Sequence, residues 1–191
     1  RQFFNSYQVH GEPGIVFLLD GQMRQKGLGL MRTLKQKLTE PGKFKKDDKV
    51  LADSRVGEVS FAELEEIVTI QKEGLERAGE LAEKAIAKMD RQSLDFFEVN
   101  FVAQQKILLG ITTWLNAVVK ASAAEDSGNR ASCISSLEEA VHAFTWIQEG
   151  KALASRGEKW ENWYRGDKKM NLPSMEKTTR ELLETAKSVN E

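Results

Sequence analysis

The sequence predicts an all-α fold, an antiparallel bundle of four to five long helices. Three observations carry that expectation. Apolar residues recur at spacings of three and four over most of the chain. Pro13, Pro41 and Pro173 stand only where a helix would begin or stop. No segment alternates apolar and polar residues for long enough to build a sheet. At 191 residues the chain suits one domain with a real hydrophobic core. The expected layout is a single domain over 1–191, with an N-terminal extension at 1–13, main helices at 14–40, 60–90, 93–125 and 130–155, and a C-terminal helix at 173–189.

The extension opens on Arg1 and carries Phe3, Phe4 and Tyr7 without start-like features, so the chain is expected to be cut from a longer polypeptide. In 14–40, Leu19, Met23, Leu30, Leu34 and Leu38 mark the apolar face. Gly21, Gly27 and Gly29 weaken that helix, since glycine in a helix interior costs about 1 kcal/mol against alanine. A broken start, or close packing at the glycines, is expected. The stretch 43–59 reads as a charged connection anchored by Phe44, Val50, Leu51 and Val56. Ser60-Phe61-Ala62-Glu63 has the pattern of a capping box, in which hydroxyl and carboxylate each satisfy a free backbone N–H. The helix it opens should bury Leu64, Val68, Leu75, Ala78, Ala82 and Met89, with Glu73–Arg77 and Glu80–Lys84 as surface pairs.

The helix over 93–125 has the clearest seam: Leu94, Phe97, Phe101, Gln104, Leu108, Ile111, Leu115, Val118 and Ser122. Phe96, Ile107, Leu109, Trp114 and Val119 widen it, which predicts a central helix contacted on more than one side. Glu125-Asp126-Ser127-Gly128-Asn129 is turn chemistry. Ile134, Leu137, Val141, Phe144 and Ile147 face the core from 130–155. Met175, Leu182, Leu183 and Ala186 dock the last helix, where Pro173 sits in the first turn without losing a needed hydrogen bond.

Composition excludes some functions. Lys+Arg 28 against Asp+Glu 29 leaves a net charge of −1, so no global field favours nucleic acid or an anionic membrane. The longest apolar stretches, such as 14–19 and 107–111, read as too short to span a bilayer, and a soluble chain is expected. A single cysteine, Cys133, allows neither an internal disulfide nor a CxxC site. Gly27-Leu28-Gly29 lacks the third glycine and the preceding strand of a dinucleotide loop. There is no GxSxG, and the only histidines are His10 and His142. His142 beside an apolar face reads as a hydrogen-bonded structural residue. Glu138, Glu139 and His142 do not supply the paired ligand set of a di-metal bundle, and Asp47, Asp48 and Asp53 are neutralised by interspersed lysines and Arg55. No catalytic residue, metal site or cofactor is therefore expected.

The most specific cluster is Trp160, Trp163, Tyr164, Arg165 and Asp167. Aromatic faces flanked by polar tips suit the stacking of a sugar. They equally suit pinning a connection onto the bundle, with Tyr164 and Arg165 bonding its ends, and this structural role is the favoured reading. The run from Glu158 through Trp160, Trp163, Arg165 and Asp167 to Pro173, with the helix after it, resembles the end of helical domains appended to bacterial polysaccharide-degrading enzymes, the family 115 glycoside hydrolases that act on xylan. Asp53 to Ser60 and the helix from Phe96 to Trp114 are similar as well. The resemblance covers about half the chain and carries no catalytic residue. It implies a non-catalytic accessory domain of a secreted or periplasmic carbohydrate-active enzyme. Its partners would be the catalytic domain of the same polypeptide or a second copy in a homo-oligomer, with polysaccharide as a further candidate. A carbohydrate-binding module and a free-standing protein–protein interaction bundle are the alternatives.

Overall fold

The computed structural model describes residues 22–40, 49–53, 57–156 and 171–189. In chain order these form α1 (Gln22–Thr39), β1 (Lys49–Asp53), β2 (Gly57–Ser60), α2 (Phe61–Ile86), α3 (Arg91–Phe97), a π-helical segment (Glu98–Val102), α4 (Ala103–Asp126), α5 (Arg130–Ala154) and α6 (Leu172–Ser188). The fold is all-α, and its helices pack around α4, which touches α1, α2 and α5, while α6 packs on α1 and α5.

One expectation is corrected in the connection before α2. It contains an antiparallel hairpin, with Leu51 opposite Val59 and Ala52 opposite Glu58, and an irregularity between Lys49 and Leu51. Strands this short cannot display the alternation that reveals a sheet, and only the apolar Val50, Leu51 and Val59 hint at it. Helix α2 starts directly after Ser60, where the capping-box pattern places its N-terminus, with Glu63 in the first turn. It ends at Ile86, so Met89 lies beyond it, half-buried, rather than on its core face. Glu73–Arg77 and Glu80–Lys84 are exposed but do not close to ion-pair distance.

The long helix over 91–126 is continuous but not uniform. Asp90 caps it, its carboxylate accepting from the Ser93 N–H at 2.8 Å and from the Ser93 hydroxyl at 3.1 Å. Those bonds hold the Asp90 carboxyl below the usual carboxylate range. The π-helical segment then adds one residue to a turn, which rotates every later side chain by about 100° relative to the earlier ones. The expected seam divides further along, within α4 itself. Leu94, Phe97, Phe101, Gln104 and Leu108 are only half-buried, whereas Ile111, Leu115, Val118 and Ser122 are buried. Phe97 and Phe101 stack on each other at 4.8 Å between ring centroids, and Phe96 is exposed rather than part of the apolar stripe. Gln105, not Gln104, is the buried amide, donating to the Leu75 carbonyl at 2.8 Å.

From Ile111 to Val119 α4 is buried on every side, which bears out its predicted central position. An 18-residue window of the helix over Arg91–Asp126, with mean hydropathy 1.4, is apolar enough by length and composition to cross a membrane. The expectation drawn from 107–111 considered only the stretch before Thr112. Polar Thr112, Thr113 and Asn116 interrupt the apolar residues without lowering the average below a spanning value, and 78% of the window is buried inside the fold.

Trp114 joins three helices. Its indole N–H donates to the Thr179 hydroxyl of α6 at 2.9 Å, and that hydroxyl donates to the Met175 carbonyl at 2.8 Å. Its ring lies where a side chain at Gly27 of α1 would have to go, so this glycine marks close packing, as expected, while Gly29 faces open space. Helices α4 and α5 meet even more closely. A Cβ at Gly110 would sit 2.8 Å from the Ala143 carbonyl oxygen, and one at Gly150 would sit 2.7 Å from that of Ala103. Ala103, Gly110 and Ala117 recur every seven residues on α4, and Ala143 and Gly150 do so on α5. The two backbones thus touch along an antiparallel heptad seam.

The turn between them is built as predicted. Gly128 takes the left-handed conformation at φ 73°, and Asn129 caps α5 by accepting from the Ser132 N–H at 3.1 Å. Arg130 grips both oxygens of Glu125 at 2.9 Å and reaches the Ala186 carbonyl of α6. At the same end Lys37 of α1 pairs with Asp126.

Candidate functional site

The cluster Trp160, Trp163, Tyr164, Arg165 and Asp167 lies outside the described residues, as do His10, Asp47, Asp48 and the residues before Gln22. The candidate site that the described residues build is a groove of about 540 Å³ between α2 and α5.

Its geometry follows from the packing of α2 and α5 on α4. Both run antiparallel to α4, so they flank it side by side. Val102, Gln105, Lys106, Leu109 and Thr113, spaced by three and four, form the floor between them. One wall is α2, with Glu76, Glu80 and Glu83 exposed along it above Ala82 and Ile86. The other is α5, with Glu139, His142 and Trp146. At the Thr113 end, Lys72 reaches across from α2 to Glu139 at 3.0 Å. Towards Ile86 and Val102 no ion pair joins the two walls among the described residues.

The charges divide unevenly. Lys106 is engaged twice, with Glu149 at 2.6 Å and with its ammonium 4.9 Å from the centre of the Trp146 ring. Lys72 is engaged by Glu139. Glu76, Glu80 and Glu83 make no ion pair among the described residues, so the α2 wall carries uncompensated negative charge. Trp146 remains 37% exposed. Under the floor, Asn116 donates to the Thr69 hydroxyl at 2.9 Å and ties α2 to α4, while its carbonyl oxygen and the Thr112 hydroxyl are buried without partners.

His142 is a correction. Its ring is exposed on the groove rather than held by the hydrogen bond expected of a structural histidine, because its position on α5 turns away from α4. It makes no hydrogen bond among the described residues, so no neighbour orients it as the base of a triad would be oriented. Glu139 stands three residues before it, the helical spacing of a carboxylate–histidine ligand pair, but Glu139 is held by Lys72. Among the described residues no three of His, Cys, Asp and Glu gather closely enough to hold a metal ion. Glu138 points elsewhere, to Lys187 of α6 at 2.9 Å, a contact that holds that ammonium above its ordinary range. Chemically, the groove presents apolar side chains beside a row of carboxylates.

Cys133 is buried in the core, and burial together with the nearby Glu125 pushes its thiol up to about 11. Sequence reasoning missed Trp146 and the α2 glutamates, although Glu76, Glu80 and Glu83 recur at helical spacing on one stripe, which is the signal that would have found them. No protein-family model, curated protein or solved structure matches this chain.

Proposed function

We propose that the chain is a non-catalytic helical accessory domain of a larger bacterial carbohydrate-active enzyme, supporting the catalytic domain or its assembly. The observation that carries this reading is the run Glu158–Pro173, which resembles the end of such domains and leads directly into α6. Leu172, Met175, Leu182, Leu183 and Ala186 bury the helix that follows the run, in keeping with an end that closes a bundle rather than a mobile tail. A bundle whose two central helices touch backbone to backbone also suits a stiff support.

The reading expects the reading frame to continue from this chain into a glycoside hydrolase catalytic domain. Deleting the bundle from that polypeptide should lower its thermal midpoint, its assembly state or its activity on xylan fragments. A frame without a catalytic domain, or an enzyme unchanged in all three measurements, overturns the proposal.

A further inference from the structure

We infer that the groove between α2 and α5 is a docking site for a basic amphipathic helix of a partner protein. This inference stands on the geometry of the described bundle and does not depend on the parent enzyme. The shape comes first. Two parallel helices lying on a third leave a channel whose natural occupant is a fourth helix, and the floor from Val102 to Thr113 presents one continuous stripe for it to lie on. From Val102 to Leu109, short of the Lys72–Glu139 bridge, seven helical steps make the open floor about 10 Å long, which accommodates about two turns of a ligand helix.

The surface chemistry then selects the kind of helix. Ala82, Ile86, Val102 and Leu109 favour an apolar face against the floor, and the exposed ring of Trp146 extends that surface up the α5 wall. Opposite, Glu76, Glu80 and Glu83 follow successive turns of α2, so lysines or arginines at spacings of three and four on the incoming helix would meet them in register. The two groove lysines do not cancel this field, because each is committed to a carboxylate on α5. An acidic helix would be repelled along α2. A neutral one would leave the three carboxylates uncompensated.

A second copy of the chain is a poorer fit. Of its described helices, α1 has the basic residues Arg32, Lys35 and Lys37, but Leu30, Met31, Leu34 and Leu38 on its apolar face are already buried in its own core.

The probe is a helical Leu/Lys peptide of about 18 residues, with a Leu/Glu counterpart and a sequence-scrambled Leu/Lys control. Binding is followed by tryptophan emission in the full chain and in Trp146→Phe, which identifies the signal from the groove. The Leu/Lys peptide should bind and perturb Trp146, and the other two should not. Combined Glu76→Gln, Glu80→Gln and Glu83→Gln should weaken binding about tenfold or more. Glu176→Gln, Glu181→Gln and Glu184→Gln, the same charge change on α6, should leave it within about twofold. Five of the six positions are exposed and Glu176 is half-buried, and circular dichroism checks that both variants fold. Equal weakening by the two sets would reduce the effect to overall charge and overturn the proposal. So would absence of binding, or a homodimer by light scattering that excludes the peptide.

Discussion

Trp114 and Thr179 show how one side-chain pair can tie distant segments together. The indole is fully buried, so its N–H must find an acceptor inside the protein, and the Thr179 hydroxyl is that acceptor. Thr179→Val keeps the shape and removes the oxygen, leaving the indole N–H buried and unpaired. We expect a loss of about 1–3 kcal/mol, read as a lower urea midpoint with an unchanged slope, whereas Thr179→Ser should lose less. Equal losses in Val and Ser would assign the effect to packing instead. Cys133 makes a pH-dependent contribution of definite sign. Burial pushes its thiol from an ordinary value of 9.0 up to about 11 in the folded chain. Below pH 9 both states are protonated and the burial of the neutral thiol counts in full. Between the two values the unfolded chain loses its proton first, so stability falls as pH rises, by about 2–3 kcal/mol in all. The chain should lose more stability than Cys133→Ala between pH 8.5 and pH 11; parallel pH profiles for the two proteins would contradict this.

At the scale of elements, the α4–α5 contact inverts the usual effect of glycine. Alanine is favoured in a helix by about 1 kcal/mol, but at Gly110 and Gly150 the added carbon would press on backbone atoms of the facing helix, which cannot move aside as a flexible side chain can. Gly110→Ala and Gly150→Ala should each destabilise by about 1–3 kcal/mol, and the double variant by less than the sum, since the first separation of the helices makes room for the second. Gly29→Ala, facing open space, should be neutral or stabilising, and thermal melts of the four proteins distinguish the outcomes. Most of this element structure was legible in sequence. The helix ends at Thr39, Ala154 and Ser188, the start after Ser60 and the Glu125–Asn129 turn stand within two residues of expectation, because caps, prolines and turn residues act locally. The π-helical segment was not legible, since no residue type marks it and its effect is a phase shift visible only when both halves are packed. The groove was not legible either. Its residues are distributed over three helices, and which surface stripe stays uncovered depends on which helices pack on α4.

Taken whole, the molecule places a helix with the apolarity of a membrane span at the centre of a bundle, and the distinction between those two fates lies in its neighbours. Ile111 to Val119 are buried on all sides because α1, α2, α5 and α6 supply the apolar surroundings that lipid would otherwise supply. Thr112, Asn116 and Trp114 carry polar atoms that suit contact with other helices better than contact with hydrocarbon. The fate of α4 should therefore be conditional on its cover. The intact chain is expected to remain in the aqueous phase of a detergent phase-separation assay. Truncation after Asn171 removes α6, with Met175, Thr179, Leu182 and Leu183, and bares one side of Trp114 and the α1 core face. That shortened chain should pass into the detergent-rich phase or aggregate, and should expose its tryptophans to quenching by iodide. Conversely, if the intact chain itself enters the detergent phase while its far-ultraviolet circular dichroism stays helical, α4 exchanges protein neighbours for hydrocarbon, and the closed bundle is not its only stable environment.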